Sequence, residues 1–311
     1  MKKILTLLGC CMMAAVLQAQ ECFLPIGVGF KTTPQPLPAA QQKAVANKLR
    51  QLLTTTNGVA GHVDFHCFAL VPEYEVLGKS VTPGPPKQIV YQLQLSLQVL
   101  NTADGVVYEA YTTLLDGVGN TEQAAFSDAV KRLAPRNKEL TSFISRAQDK
   151  ILLYYNSNAE KLIARARTLE QTRRYDEALS VLMPIPSCCS GYDEVQQLTL
   201  EIWQHRINLE SERLLLKAQS VWAAGQDAES ARQAAALLAL VDPESSSYAA
   251  AGSLMADIKK KAGEQSVWDI HLKVYDDSVD LARRRLEAAR EVALAYAENQ
   301  QEQTANITFV K

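Results

Sequence analysis

The side chains with the widest chemical repertoire in this chain are its four histidines, its six cysteines and a few acidic clusters. His62, Asp64 and His66 alternate along one expected strand and share its polar face. His62 and His66 then stand about 13 Å apart, too far for one metal ion to take both. His205 and His271 fall on expected helices with no partner carboxylate that stands out, and no H-E-x-x-H occurs. Asp276, Asp277 and Asp280 read as a solvated helix face. The run Ile26-Gly27-Val28-Gly29-Phe30 lacks the third glycine of a dinucleotide fingerprint, and the chain has neither a phosphate-binding loop nor a G-x-S-x-G elbow. The expectation is a protein that is not an enzyme, with no catalytic residues, no metal and no cofactor.

The cysteines point to compartment rather than catalysis. Cys10 and Cys11 lie in an expected signal peptide over residues 1–19: Lys2 and Lys3 form its basic start, Ile4 to Leu17 its apolar stretch, and Ala19 offers a small residue at the cleavage position. Leu7-Leu8-Gly9-Cys10 resembles a lipobox, but its apolar core would be only about six residues, shorter than such regions usually run, so a lipoprotein is the less favoured reading. The mature chain keeps Cys22, Cys67, Cys188 and Cys189. In an oxidising compartment they permit disulfides, and the adjacent Cys188 and Cys189 are candidates for a vicinal bond or for two separate fates. Cys67 reads as a small buried hydrophobe. No lysine or arginine flanks the Cys188–Cys189 loop to activate a thiol, so the loop reads as structural.

Positioning all of this requires a scaffold, and composition bounds it. The 311 residues are 47% hydrophobic and carry a net charge of −2, a balance that fits a globular chain and gives no basic excess for nucleic acid. The expected fold is an α+β N-terminal domain, 20–137, followed by an all-α helical array, 138–265, a long heptad-patterned helix, 266–299, and a tail, 300–311. In the first domain, Phe23 to Phe30 reads as a strand. A helix follows with Val45, Leu49, Leu52 and Leu53 on one face, and His62 to Val71 is a second strand with Val63, Phe65, Cys67, Ala69 and Val71 on its core side. Tyr91, Leu93, Leu95, Leu97 and Val99 alternate with Gln92, Gln94, Ser96 and Gln98, a strand with one buried face. Asn101 to Gly105 forms a hairpin loop, Val106 to Leu115 returns, and Gly117 and Gly119 break the strand before a helix capped by Asn120, with Gln123 completing a capping box.

Beyond residue 138, Leu140, Phe143, Ile144, Ala147 and Ile151 have helical spacing, and Asn156-Ser157-Asn158 is expected to interrupt. Paired helices over 159–174 and 175–183 follow, then helices over about 193–224, 227–240 and 247–261. The last helix carries a seam of Trp268, Leu272, Tyr275, Val279, Ala282, Leu286, Ala289, Ala293 and Tyr296, expected to pack along its own chain and otherwise to make a homo-oligomer. The tail ends in either disorder or an edge strand.

Ala166, Leu169, Tyr175, Ala178, Leu179 and Leu182 resemble the small-and-large pattern of tetratricopeptide (TPR) repeats, with a looser echo at Ala218, Val221, Gly225, Ala231 and Ala234. The two alanines Ala166 and Ala218 are 52 residues apart and Arg173 stands where that family usually has glycine, so the array is a divergent one. The segment 90–133 is similar to the α/β module of the TolB N-terminal domain, the curli pore subunit CsgG and LpoB-type activators. The whole arrangement resembles exported Bacteroidetes proteins without an assigned activity. These resemblances imply a periplasmic or outer-membrane-associated scaffold that binds a protein partner, with peripheral membrane association and no nucleic acid. A self-assembling subunit, and then an unrecognised hydrolase around His62, Asp64 and His66, are the alternatives.

Overall fold

The computed structural model describes residues 24–32, 37–57, 67–262, 281–304 and 307–309. Residues 1–19 with the expected signal peptide, Cys22, the His62–Asp64–His66 group, His271, the three aspartates and the first half of the heptad seam lie outside them. β1 (Ile26–Lys31) leads through α1 (Ala39–Asn57) to β2 (Phe68–Val81), and β1 and β2 pair in parallel, as a helical crossover between them requires. β3 (Ile89–Asn101) and β4 (Val107–Gly119) add antiparallel strands. A short β5 (Ile307–Phe309) pairs antiparallel with β1, so the tail supplies an edge strand and the sheet order is β4-β3-β2-β1-β5.

The alternation on β3 is realised: Tyr91, Leu93, Leu95, Leu97 and Val99 are buried while Gln92 is exposed. β2 departs from its expected form. It runs ten residues past Val71, and its start is covered on both faces, because Phe68 and Leu70 join the main core while Ala69 and Val71 meet Leu100 and Ile307 on the other side. Gly117 and Gly119 do not break β4. They lie within it, where α2 (Glu122–Arg132) comes so close that a Cβ on Gly117 would sit 2.0 Å from the Ala125 carbonyl oxygen. The cap of α2 is Thr121, not Asn120: its extended backbone turns the hydroxyl back to accept from the Ala124 N–H at 3.1 Å.

α3 (Lys138–Gln171) passes straight through Asn156-Ser157-Asn158. Ile151, Tyr155, Ala159 and Ile163 keep one buried face across that stretch, and tertiary burial outweighs the weak helix propensity of three polar residues. The Asn158 amide donates to the Tyr154 carbonyl at 2.8 Å, a local bond that leaves the helix intact. α4 (Tyr175–Leu182), α5 (Tyr192–Gly225), α6 (Ala228–Leu238) and α7 (Tyr248–Ala262) follow, and α8 (Leu281–Thr304) returns to α4 and α5.

One apolar core runs unbroken from the sheet into α3, α4, the first half of α5 and the Ala289–Ala293 face of α8. A second core lies between the far half of α5, α6 and α7, built on Ala218, Trp222, Ala231, Ala234 and Met255. The 34-residue α5 therefore links both. The two helical hairpins share a turn device. Arg173 has φ +59° and Gln226 φ +51°, each reversing the chain in the left-handed region.

Candidate partner-binding cleft

The sheet, α4, α5 and α8 do not close completely where they meet. Leu24 and Pro25 ahead of β1, Cys67 and Phe68 at the start of β2, the end of α4, the first turns of α5 and one face of α8 surround a cavity of about 570 Å³. That is a volume suited to a small molecule or to a few apolar side chains of a peptide. Its floor is apolar: Leu179, Leu182, Ile185 and Val195 are buried.

The wall between α4 and α5 is shaped by proline. Pro184 and Pro186 have no N–H to continue a helix, so α4 stops. The chain then tightens locally, with the Ile185 N–H on the Leu182 carbonyl at 3.1 Å and the Cys189 N–H on the Pro186 carbonyl at 3.0 Å. Asn156 pins this loop to α3: its Oδ1 accepts from the Ser190 backbone N–H at 2.9 Å and from the Ser190 hydroxyl at 3.1 Å. Residues that look like a helix breaker in the sequence thus hold the cleft's loop.

The opposite wall, α8, carries charge. Arg283 and Glu287 pair at 3.2 Å one turn apart, and exposed Arg290 follows. Burial pushes the Cys67 thiol up to about 11, with Arg290 opposing that rise only in part. The thiol stays protonated at neutral pH and is a poor nucleophile. The arrangement offers apolar surface with a charged rim, fit for holding a chain.

A second, smaller cavity of about 330 Å³ is lined by Arg173, Arg174, Arg206 and Arg213 with Asp176, Glu177 and Glu210. Much of its charge is internally matched. Arg206 bonds Asp176 and Glu210, each at 2.7 Å, and Arg174 pairs with Glu177.

The residues singled out from sequence are distributed as follows. Ala166 and Ala178 are fully buried where α3 meets α4, with Leu169 and Leu182 beside them and Tyr175 packed half-buried against the core. Cys188 and Cys189 do not bond to each other: Cys188 is in a disulfide, whereas Cys189 is a free buried thiol. The two adjacent cysteines on the turn into α5 thus take separate fates, with Cys189 buried and Cys188 only partly so. His205 does have carboxylate partners. Glu170 Oε1 of α3 is 2.8 Å from its Nδ1, and Glu201 stands one turn earlier on its own helix. The i, i+4 spacing of Glu201 and His205 was the available signal. The contribution of Glu170, 35 residues away, had none.

No protein-family model matches this chain, and no curated protein matches it. Among solved structures, a protein from Caulobacter crescentus CB15, provisionally assigned as a lipoprotein, is 11% identical, with a TM-score of 0.25 over 40% of this chain and 88% of that one. At that score the likeness carries no argument. No helix among the described residues is long and apolar enough to cross a membrane.

Proposed function

We propose that the protein is a non-catalytic adaptor of the cell envelope, which holds an apolar segment of a protein partner in the cleft between its sheet and its TPR-like helices. The observation that supports this most is the cleft itself: about 570 Å³ with an apolar floor, a charged rim and, at Cys67, a buried thiol that its burial keeps protonated. The basic, apolar and small-residue order of residues 1–19 supports export. Self-assembly through the last helix is the weaker reading, because Ala289 and Ala293 of its seam are already buried against their own chain.

The test is affinity capture from native envelope with the wild-type chain and two cleft variants, Thr199→Trp and Leu286→Glu. Both positions line the cleft and are only partly buried, so each change alters the cavity more than the core. A partner recovered by the wild type and lost with both variants supports the reading. The same proteins recovered equally by all three would sink it.

A further inference from the structure

We infer that Glu170, Glu201 and His205 form a binding site for a divalent transition-metal ion, with Zn²⁺ the best match, that ties α3 to α5. The inference is independent of the cleft. Glu201 and His205 occupy one face of α5, four residues apart, and Glu170 projects from the last turn of α3. One ligand atom from each lies within 4.8 Å of the others, and the His205 Nδ1 is 2.8 Å from Glu170 Oε1.

A zinc ion bound through imidazole nitrogen and carboxylate oxygen sits about 2.0–2.2 Å from each, which places tetrahedral ligands roughly 3.3–3.5 Å apart. Small side-chain rotations reach that spacing from the observed one. The set of one nitrogen and two oxygens suits a borderline ion. It is too small and too nitrogen-bearing for Ca²⁺ or Mg²⁺, which take six or more oxygens or keep their water. A fourth position is open, since the His205 and Glu201 side chains are nearly half exposed.

Both parent helices are long and bury side chains along their length, so all three ligands stand on helices rather than on loops. Arg167 is the competing cation, 3.9 Å from Glu201. It is also 3.5 Å from Glu194, so it has a partner to turn to when a metal takes Glu201. The ion would then replace a hydrogen bond between two helices by a three-point clamp beside the Tyr175 turn.

The experiment is calorimetric titration of untagged protein with ZnCl₂, repeated on His205→Ala and Glu201→Gln, with thermal unfolding followed in parallel. The expected result is one equivalent of zinc per chain, a melting temperature that rises with zinc concentration, and affinity about tenfold lower or worse in each variant. Zinc-free melting of both variants near that of the wild type shows that they fold. Absence of saturable binding by the wild type, unchanged affinity in both variants, or equal competition by Ca²⁺ overturns the assignment.

Discussion

The carboxylate of Glu109 on β4 accepts a 3.0 Å hydrogen bond from the Arg146 Nε on α3, and Lys150 one turn on reaches its other oxygen. This pairing fastens the first long helix across the sheet edge, beside the Asn101–Tyr155 bond at 3.2 Å that does the same from the hairpin. The Lys150 ammonium, helped by the Arg146 guanidinium, holds the Glu109 carboxyl below its ordinary 4.5. A depressed acid stabilises the fold above its unfolded value and loses that contribution as pH falls through its folded value. Stability should therefore decline below about pH 4.5. Glu109→Gln should cost about 1 kcal/mol at pH 7, since the two cations are half exposed, and should flatten the acid limb. Urea midpoints from pH 7 to pH 3 check this. An unchanged acid limb in the variant refutes it.

Gly117→Ala should destabilise the α/β part strongly. The new methyl would meet the Ala125 carbonyl at 2.0 Å and the Ala129 nitrogen at 2.6 Å, both backbone atoms of α2 that cannot rotate away. α2 must lift from β4, at a cost of about 3 kcal/mol, the upper end of ordinary overpacking. Gly119→Ala, 2.4 Å from the Ala125 nitrogen, should behave alike. Gly84→Ala has nothing within 4 Å and should stay within about 0.5 kcal/mol of wild type. Chemical denaturation of the three variants measures the contrast, and similar values for all three would remove the close-approach account.

These glycines show why some of the architecture is readable from residue order and some is not. Period-two alternation from Tyr91 to Val99 names its own buried face, because a strand's geometry makes that pattern local. A glycine pair carries no such direction: the missing Cβ serves a chain break or a helix seated on a strand, and only the partner decides. Asn156-Ser157-Asn158 has breaker propensity, yet the spacing of Ile151, Tyr155 and Ala159 around it prevails. The helical hairpin at Ala166 and Ala178 is legible because both halves are near in sequence. The cleft is not, being assembled from segments far apart in the chain, and neither is the Glu170–His205 contact between two helices.

The cysteines should be chemically distinct. Burial raises both the Cys67 and the Cys189 thiols, and Cys67 reaches about 11 against an ordinary 9.0. At pH 8 only about one Cys67 in a thousand is then thiolate, and it is 8% exposed. Iodoacetamide at pH 8 should leave Cys67 and Cys189 unmodified in the native protein and alkylate both in guanidinium. Non-reducing peptide mapping should find Cys188 in a cross-linked peptide. Rapid native alkylation of Cys67, or a free Cys188, contradicts the arrangement.

Arg173 stands at the turn from α3 to α4 with φ +59°, where an L side chain is strained and glycine is not. The turn is fixed by its own hydrogen bonds, from the Arg173 N–H to the Glu170 carbonyl at 2.8 Å and from the Arg174 N–H to the Leu169 carbonyl at 2.9 Å, so the backbone does not relax out of that region. Removing the side chain relieves about 1–2 kcal/mol of left-handed strain. Glycine returns about 0.5–1 kcal/mol of that through its greater freedom when unfolded. Arg173→Gly should accordingly stabilise the protein by about 0.5–1 kcal/mol, and Gln226→Gly, at the matching turn of the second hairpin, should do the same. Gly191 supplies the reverse case: its φ is +82° with open space around it, so Gly191→Ala should cost about 1 kcal/mol through the backbone alone. Thermal midpoints of the three variants decide the matter, for a destabilised Arg173→Gly would mean that the arginine side chain contributes more to the turn than its backbone strain takes away.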